Sequence, residues 1–287
     1  MTFNLGLRTI LAACYFARSE QSYQPNLNKR IMRLNFPVMR WALAHASVLS
    51  FGLITVTLAG PPLTIDDTGI LEPGGLEIIL AADGAKTDAI KAYDFPVLDT
   101  SLGLTENIQM SVVLPMQKID EPGEPSKTDM GYGEVSVKWR FFKNDSLELA
   151  FAPAYAVPLN DASTVRGVID DIRILNLPLL AGWEFGDWSV MTQVAYAVSS
   201  KSGNGWDYGV AGGYQVNEKM QLLAEVYGAT FSRASETDVN YNLGVDYGFT
   251  EQFHLLVSAR SKLFSDLPSE ERLKYGWFVG LQWFTRP

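Results

Sequence analysis

From Asp238 to Arg260 the chain reads DVNYNLGVDYGFTEQFHLLVSAR. Val239, Tyr241, Leu243, Val245 and Tyr247 alternate with Asn240, Asn242, Gly244, Asp246 and Gly248. A period of two predicts a strand with one apolar and one polar face. GFTEQ makes a turn, and a second strand follows with Phe253, Leu255, Val257 and Ala259 on one face. The same alternation marks 107–117, 134–141, 147–157, 188–198, 206–214 and 277–284 clearly, and 76–83, 95–104, 172–184 and 219–229 more weakly. With the two strands of the opening stretch, twelve are predicted. No run after residue 60 has the length and period of an amphipathic helix.

The connections between these strands alternate in length. Those at 104–107, 143–145, 185–187, 216–219 and 248–252 are short; those at 84–94, 118–130, 158–171, 199–205, 230–238 and 264–274 are longer and more polar. This places all long loops at one end and both chain ends at the other, the rhythm of an outer-membrane barrel. A sandwich would alternate too, but its strands average about five or six residues. These run nearer ten, the length a tilted strand needs to cross a bilayer, and Trp139, Phe141, Trp188, Trp206, Tyr214, Tyr247, Trp277 and Trp283 gather at strand ends as interfacial girdles do. The apolar face is therefore assigned to lipid and the polar face to a lumen. The polar face carries Glu134, Lys138, Arg140, Glu148, Arg173, Asp207, Glu225, Asp246 and Arg260. A dry core could not hold so many charges cheaply, whereas a wet lumen with mutual pairing can. Both signs occur in similar numbers, which fits charges that brace the wall as well as a selectivity lining.

Charge divides the chain. Residues 1–59 hold six Lys/Arg and one acid, +5, so the remainder of a net −9 is −14. MRLNFPVMR followed by WALAHASVLSFGLITVTLA is a basic stretch, an apolar run and a small-residue exit, which predicts an export signal cleaved after Ala59. The division expected is 1–59, an N-terminal extension and signal peptide, and 60–287, the barrel. The first 31 residues add nothing to the signal, so Met32 or Met39 is an alternative start. LAAC at Cys14 resembles a lipoprotein box, but the apolar run before it is too short. The acidic balance argues against nucleic acid as a partner.

PPLTIDDTGILEPGGLEI (61–78) resembles the opening of a bacterial outer-membrane family named for the meta-pathway of phenol degradation. DFPVLDTSLGLTENIQMSVVLPM (94–116) is similar to that family's second and third strands. The resemblance implies a barrel that admits small molecules, aromatic ones among them. The C-terminal YGWFVGLQWF has the alternating aromatic close that barrel-assembly machinery recognises, although Thr285, Arg286 and Pro287 follow it.

Little else carries chemistry. His254 and Ser258 share a strand face, but at about 3.3 Å per residue they stand roughly 13 Å apart and cannot couple. Asp66 and Asp67 read as an Asx-type turn into the first strand. The loop acids Asp120, Glu121, Glu124, Glu270 and Glu271 read as solvated, with cation bridging to lipopolysaccharide as the alternative. No phosphate loop, metal spacing or cofactor fingerprint is present. The expectation is an all-β, antiparallel transmembrane barrel of about 12 strands, without cofactor or enzymatic chemistry. It would act as a narrow channel for a small-molecule solute in contact with membrane lipid and lipopolysaccharide. The rival is a structural or surface-interaction barrel without flux.

Overall fold

The structure is a computed structural model and describes residues 62–201, 203–231 and 236–285. The N-terminal extension and export signal read at 1–59 lie outside the described residues, as does most of the loop after residue 231.

Fourteen strands follow one another: β1 (Leu76–Lys86), β2 (Lys91–Thr105), β3 (Ile108–Asp120), β4 (Lys127–Met130), β5 (Tyr132–Lys143), β6 (Leu147–Phe151), β7 (Ala154–Pro158), β8 (Ile174–Phe185), β9 (Trp188–Ser199), β10 (Gly205–Asn217), β11 (Met220–Phe231), β12 (Glu236–Gly248), β13 (Phe253–Ser265) and β14 (Tyr275–Phe284). Two wall strands are each split in half. β4 and β5 flank Gly131 and both pair with β3. β6 and β7 flank Ala152 and Pro153 and both lie between β5 and β8. Proline has no N–H to give a ladder, so the ladder breaks there. β14 pairs with β1 from Glu77↔Phe284 to Lys86↔Tyr275. The sheet thus closes as a twelve-strand antiparallel barrel.

The strands overrun their predicted ends. The loop expected at 84–94 shrinks to four residues, because β1 and β2 stay paired from Asp83↔Asp94 to Lys86↔Lys91. A bulge between Asp94 and Val97 hides this from the sequence. It turns Phe95 and Pro96 outward together and slips the alternation by one. Along 118–130 the pairing likewise runs on, through Ile119↔Lys127.

The faces fall as the alternation predicts. Leu80, Leu179, Val194, Val210, Val226, Leu243 and Val279 stand exposed on the outside. Trp188–Tyr214 (4.6 Å between ring centroids) and Tyr247–Phe249 (5.3 Å) mark the short-turn end, and Tyr196–Trp206 (4.9 Å) marks the loop end. Leu243 is midway along β12 and 58% exposed. Leu243→Arg is expected to cost about 2–4 kcal/mol in lipid vesicles, against about 0–1 kcal/mol for Tyr247→Arg at the interface. Denaturant unfolding in vesicles checks this; equal penalties would refute the lipid-face assignment.

Candidate functional site: an occupied lumen

Residues 62–75 do not join the wall. They run inside the barrel, held by side chains that point inward from one strand after another. The Pro62 carbonyl accepts from Asn242 Nδ2 (3.2 Å) and Ser258 Oγ (2.8 Å). The amides of Thr64 and Ile65 donate to the Glu225 carboxylate (2.5 and 3.0 Å), which also accepts from Asn242. The Asp66 amide donates to Gln193 Oε1 (3.0 Å) and the Leu71 amide to Gln109 Oε1 (3.0 Å). Gly74 and Gly75 exchange backbone bonds with Gly103 before β1 begins. An irregular segment cannot satisfy its own backbone groups, so polar wall side chains do so instead.

Charge fixes the middle of the segment. Lys138 Nζ lies 3.0 Å from Asp66 and 3.1 Å from Asp67, with all three nearly inaccessible. The Asx turn expected at this acid pair is present, since Asp67 Oδ1 accepts from the Gly69 amide (2.6 Å). Its place is the lumen, against Lys138. Thr68 Oγ1 donates to Glu148 (3.0 Å). Wall glycines give the segment room: a Cβ on Gly209 would stand 2.4 Å from Ile65 Cγ2, and one on Gly103 2.1 Å from the Glu72 carbonyl oxygen.

A second layer closes the loop end. Residues 159–173 carry a one-turn helix, α1 (Asp161–Val165), capped by Asn160 Oδ1 on the Ala162 amide (2.9 Å). Beyond it Val168 and Ile169 tuck against Ala85, Ala92, Ile119, Tyr132 and Leu273. The Tyr132 hydroxyl donates to the Asp170 carbonyl (2.6 Å), and Arg166 pairs with Asp129 (2.8 Å). Burial also pushes the Asp170 carboxyl above its usual range.

The nine residues read from the sequence divide by position. Lys138 and Glu225 grip the N-terminal segment. Arg140 pairs with Glu148 (3.2 Å) near the short-turn end, and Lys143 also reaches Glu148 (2.7 Å). Arg260 forks onto Asp83 (2.8 and 2.5 Å). Asp246 meets His254 Nδ1 (2.8 Å), while Ser258 serves Pro62, so His254 and Ser258 make no couple. Asp207 lies on the inner side of β10 near its loop end. Arg173 lies outside the strands, exposed, just before β8. Glu134 faces inward, 4% exposed, and among the described residues neither carboxylate oxygen has a hydrogen-bond partner.

Buried charge among the described residues is mostly acidic. Among the described residues the buried acids are Asp66, Asp67, Glu77, Asp83, Asp94, Asp99, Glu134, Glu225 and Asp238. Lys138 is the sole Lys or Arg buried with them, and Arg260 follows at 9% side-chain exposure. Nor is the interior uniformly wet: Ile79, Ala81, Val97, Val113, Leu256 and Phe278 form one inward apolar cluster, and Ile65, Met191, Ala211 and Tyr227 another. Sequence reading missed Asp94 and Asp99, although Asp99, Ser101 and Gly103 are the polar phase of β2. It also missed the inward role of 62–75, which has no period to detect.

A closed twelve-strand barrel with an apolar outer band, aromatic girdles and a polar interior defines a β-barrel of the outer-membrane type. No protein-family model matches the chain, and no curated protein matches it. Solved structures do. An outer-membrane channel from Pseudomonas putida F1 is 14% identical with a TM-score of 0.58, over 76% of this chain and 97% of that one. The NanC porin gives 8% and 0.53, over 72% and 98%. The KdgM porin, solved with disordered oligogalacturonate, gives 11% and 0.51, over 72% and 98%. At these identities the likeness is one of fold.

Proposed function

We propose that this chain is an outer-membrane channel for small solutes, closed at rest by its own residues 62–75 and by the inward loop 159–173. One observation carries the reading. The lumen is filled by a separate segment held through exchangeable hydrogen bonds and one buried ion cluster, whereas the wall closes without it. A segment fixed in this way can leave while the barrel stays intact. Twelve strands enclose more space than side chains alone fill and less than an open porin's channel. The resemblance of 61–78 and 94–116 to the phenol meta-pathway family supports aromatic molecules among the solutes. The KdgM porin was solved with an acidic sugar; the acid-rich interior here favours neutral or cationic solutes over anions. Membrane lipid, lipopolysaccharide at the loop end, assembly machinery acting on the C-terminal strand and export by the N-terminal signal belong to the same proposal.

The second reading is a structural or surface-interaction barrel without flux, favoured by the filling of the lumen at two levels. Swelling of proteoliposomes in small neutral solutes separates the two. Swelling above that of empty liposomes is expected, and it should increase when residues 62–71 are replaced by a Gly/Ser stretch. No swelling in either case would favour the barrel without flux.

A further inference from the structure

The outer face beside the closure seam carries charge that runs against the acidic balance of the chain. At the loop end of β1 and β2, Lys86 pairs with Lys91 across the ladder, and on its other side with Tyr275 of β14. Their strand neighbours Ala85 and Ala92 are buried in the inner apolar cluster, so alternation turns Lys86 and Lys91 outward. One row nearer the short-turn end, Trp277, Gly84, Tyr93 and Lys118 stand side by side on the same face. The Lys86 ammonium lies 5.9 Å from the centre of the Tyr275 ring, and that of Lys118 lies 5.8 Å from Tyr93. Further along β2 the bulge turns Phe95 and Pro96 outward, with Phe95 66% exposed.

Like charges directly opposite on neighbouring strands repel and destabilise the ladder. The acids beside this pair are engaged elsewhere: Asp120 meets Lys118 (3.2 Å) and Asp88 meets Lys274. Among the described residues Lys86 and Lys91 have no carboxylate partner, whereas Lys127, Arg166 and Lys201 at the same end each have one. An anion between the two ammonium groups would remove the repulsion, and lysine binds phosphate as a point charge. The rows below say what carries that phosphate. From the loop end toward the middle of the wall the order is cation, aromatic, apolar. A free anion would use the lysines alone, but a lipid headgroup would use all three rows, with its chains along Phe95. The long loops of such barrels lie on the outer side of the membrane, so the lysines meet the outer leaflet. We propose that Lys86 and Lys91, above Tyr93, Tyr275 and Trp277, form a docking site for the phosphorylated glycolipid of that leaflet, with a lipid A phosphate between the two ammonium groups. The site rests on the outer-membrane reading above. It gives the lipopolysaccharide contact a place on seam lysines rather than through cations held by loop acids.

Native mass spectrometry of the purified full barrel in detergent tests this, with diphosphorylated and fully dephosphorylated lipid A as probes. The diphosphorylated form is expected to bind at least tenfold more tightly, and to stay bound in EDTA. Lys86→Gln and Lys91→Gln should each weaken it about fivefold, and the pair together about 25-fold, with little change for the dephosphorylated form. Lys86→Arg should keep the binding. Lys219→Gln, at the short-turn end, should leave it unchanged. Heat-modifiable migration on gels reports whether each variant is folded, and either single lysine variant suffices if the double variant is not. Equal binding of the two lipids, or an unchanged preference in a folded Lys86→Gln or Lys91→Gln barrel, overturns the site. Loss of binding in EDTA does so as well, since it moves the contact to the loop acids. Displacement by inorganic phosphate at the lipid's own concentration also overturns it, leaving a site for a free anion only. Cell fractionation reads the location separately. A barrel found in the outer membrane that does not discriminate the two lipids sinks the site alone, whereas lipid A binding by a barrel found in the inner membrane keeps the site and sinks the outer-membrane reading.

Discussion

Lys138→Met is expected to open the barrel rather than unfold it. Lys138 bridges the Asp66–Asp67 pair at 3.0 and 3.1 Å, and none of the three side chains is more than 5% exposed. Deleting one partner of a buried ion pair costs about 3–5 kcal/mol, because the remaining charge stays desolvated. Here two adjacent carboxylates lose the ammonium they share. Unfolding the wall would relieve them, but only by breaking the whole closed ladder of strand pairs. Withdrawal of residues 62–71 into water relieves them at the loss of a handful of hydrogen bonds, most of which water can replace. Single-channel conductance in planar bilayers should rise several-fold, while the unfolding midpoint of the barrel stays close to that of the wild type. Adding Asp66→Asn and Asp67→Asn to Lys138→Met should restore the closed level, since the two acids that Lys138 held are then neutral. An unchanged conductance in a folded Lys138→Met barrel would mean that the segment is not the gate.

Gly209→Val should give the same opening by shape alone. Ile65 is 1% exposed and sits against Met191, Ala211 and Tyr227. A Cβ at 209 would meet its Cγ2 at 2.4 Å and Tyr227 Cβ at 3.1 Å, and the two further methyls of valine make the overlap worse. Overpacking a fitted contact costs about 1–3 kcal/mol, enough to shift a segment held by so few bonds. Two features distinguish this from a general loss of stability. Gly212→Val, on the opposite face of the same strand, where the nearest atom is the Ser189 carbonyl oxygen at 3.8 Å, should leave conductance alone. Ile65→Ala combined with Gly209→Val should restore closure. Equal effects at 209 and 212 would refute the account.

What could be read in advance follows from where periodicity exists. The wall strands were legible because lipid and lumen impose opposite polarity on alternate residues. The reading failed where that phase slips, as at Phe95 and Pro96, and it shortened β1 and β2 accordingly. Lys138, Arg140, Glu148, Glu225 and Arg260 were legible as inward charges from phase alone. Their partners were not. Lys138 meets Asp66 and Asp67, more than seventy residues away in sequence. A strand pattern says which way a side chain points, but not what an irregular segment elsewhere in the chain brings to meet it. The excess of buried acid was hidden for the same reason: Asp83, Asp94 and Asp99 sit on the strands whose alternation was weakest.

The hold on residues 62–75 has a consequence for the order of assembly. The Pro62 carbonyl is bound by Asn242 and Ser258, 180 and 196 positions further along the chain, while Gly74 and Gly75 bond to Gly103 on β2. The docking sites of one short peptide are thus contributed by both extremes of the sheet, and they face a common interior only once β14 has met β1. The first part of the described chain to be synthesised is therefore the last to reach its final place. A barrel caught after closure but before this docking would be complete in its wall, with only the loop layer of residues 159–173 across its interior.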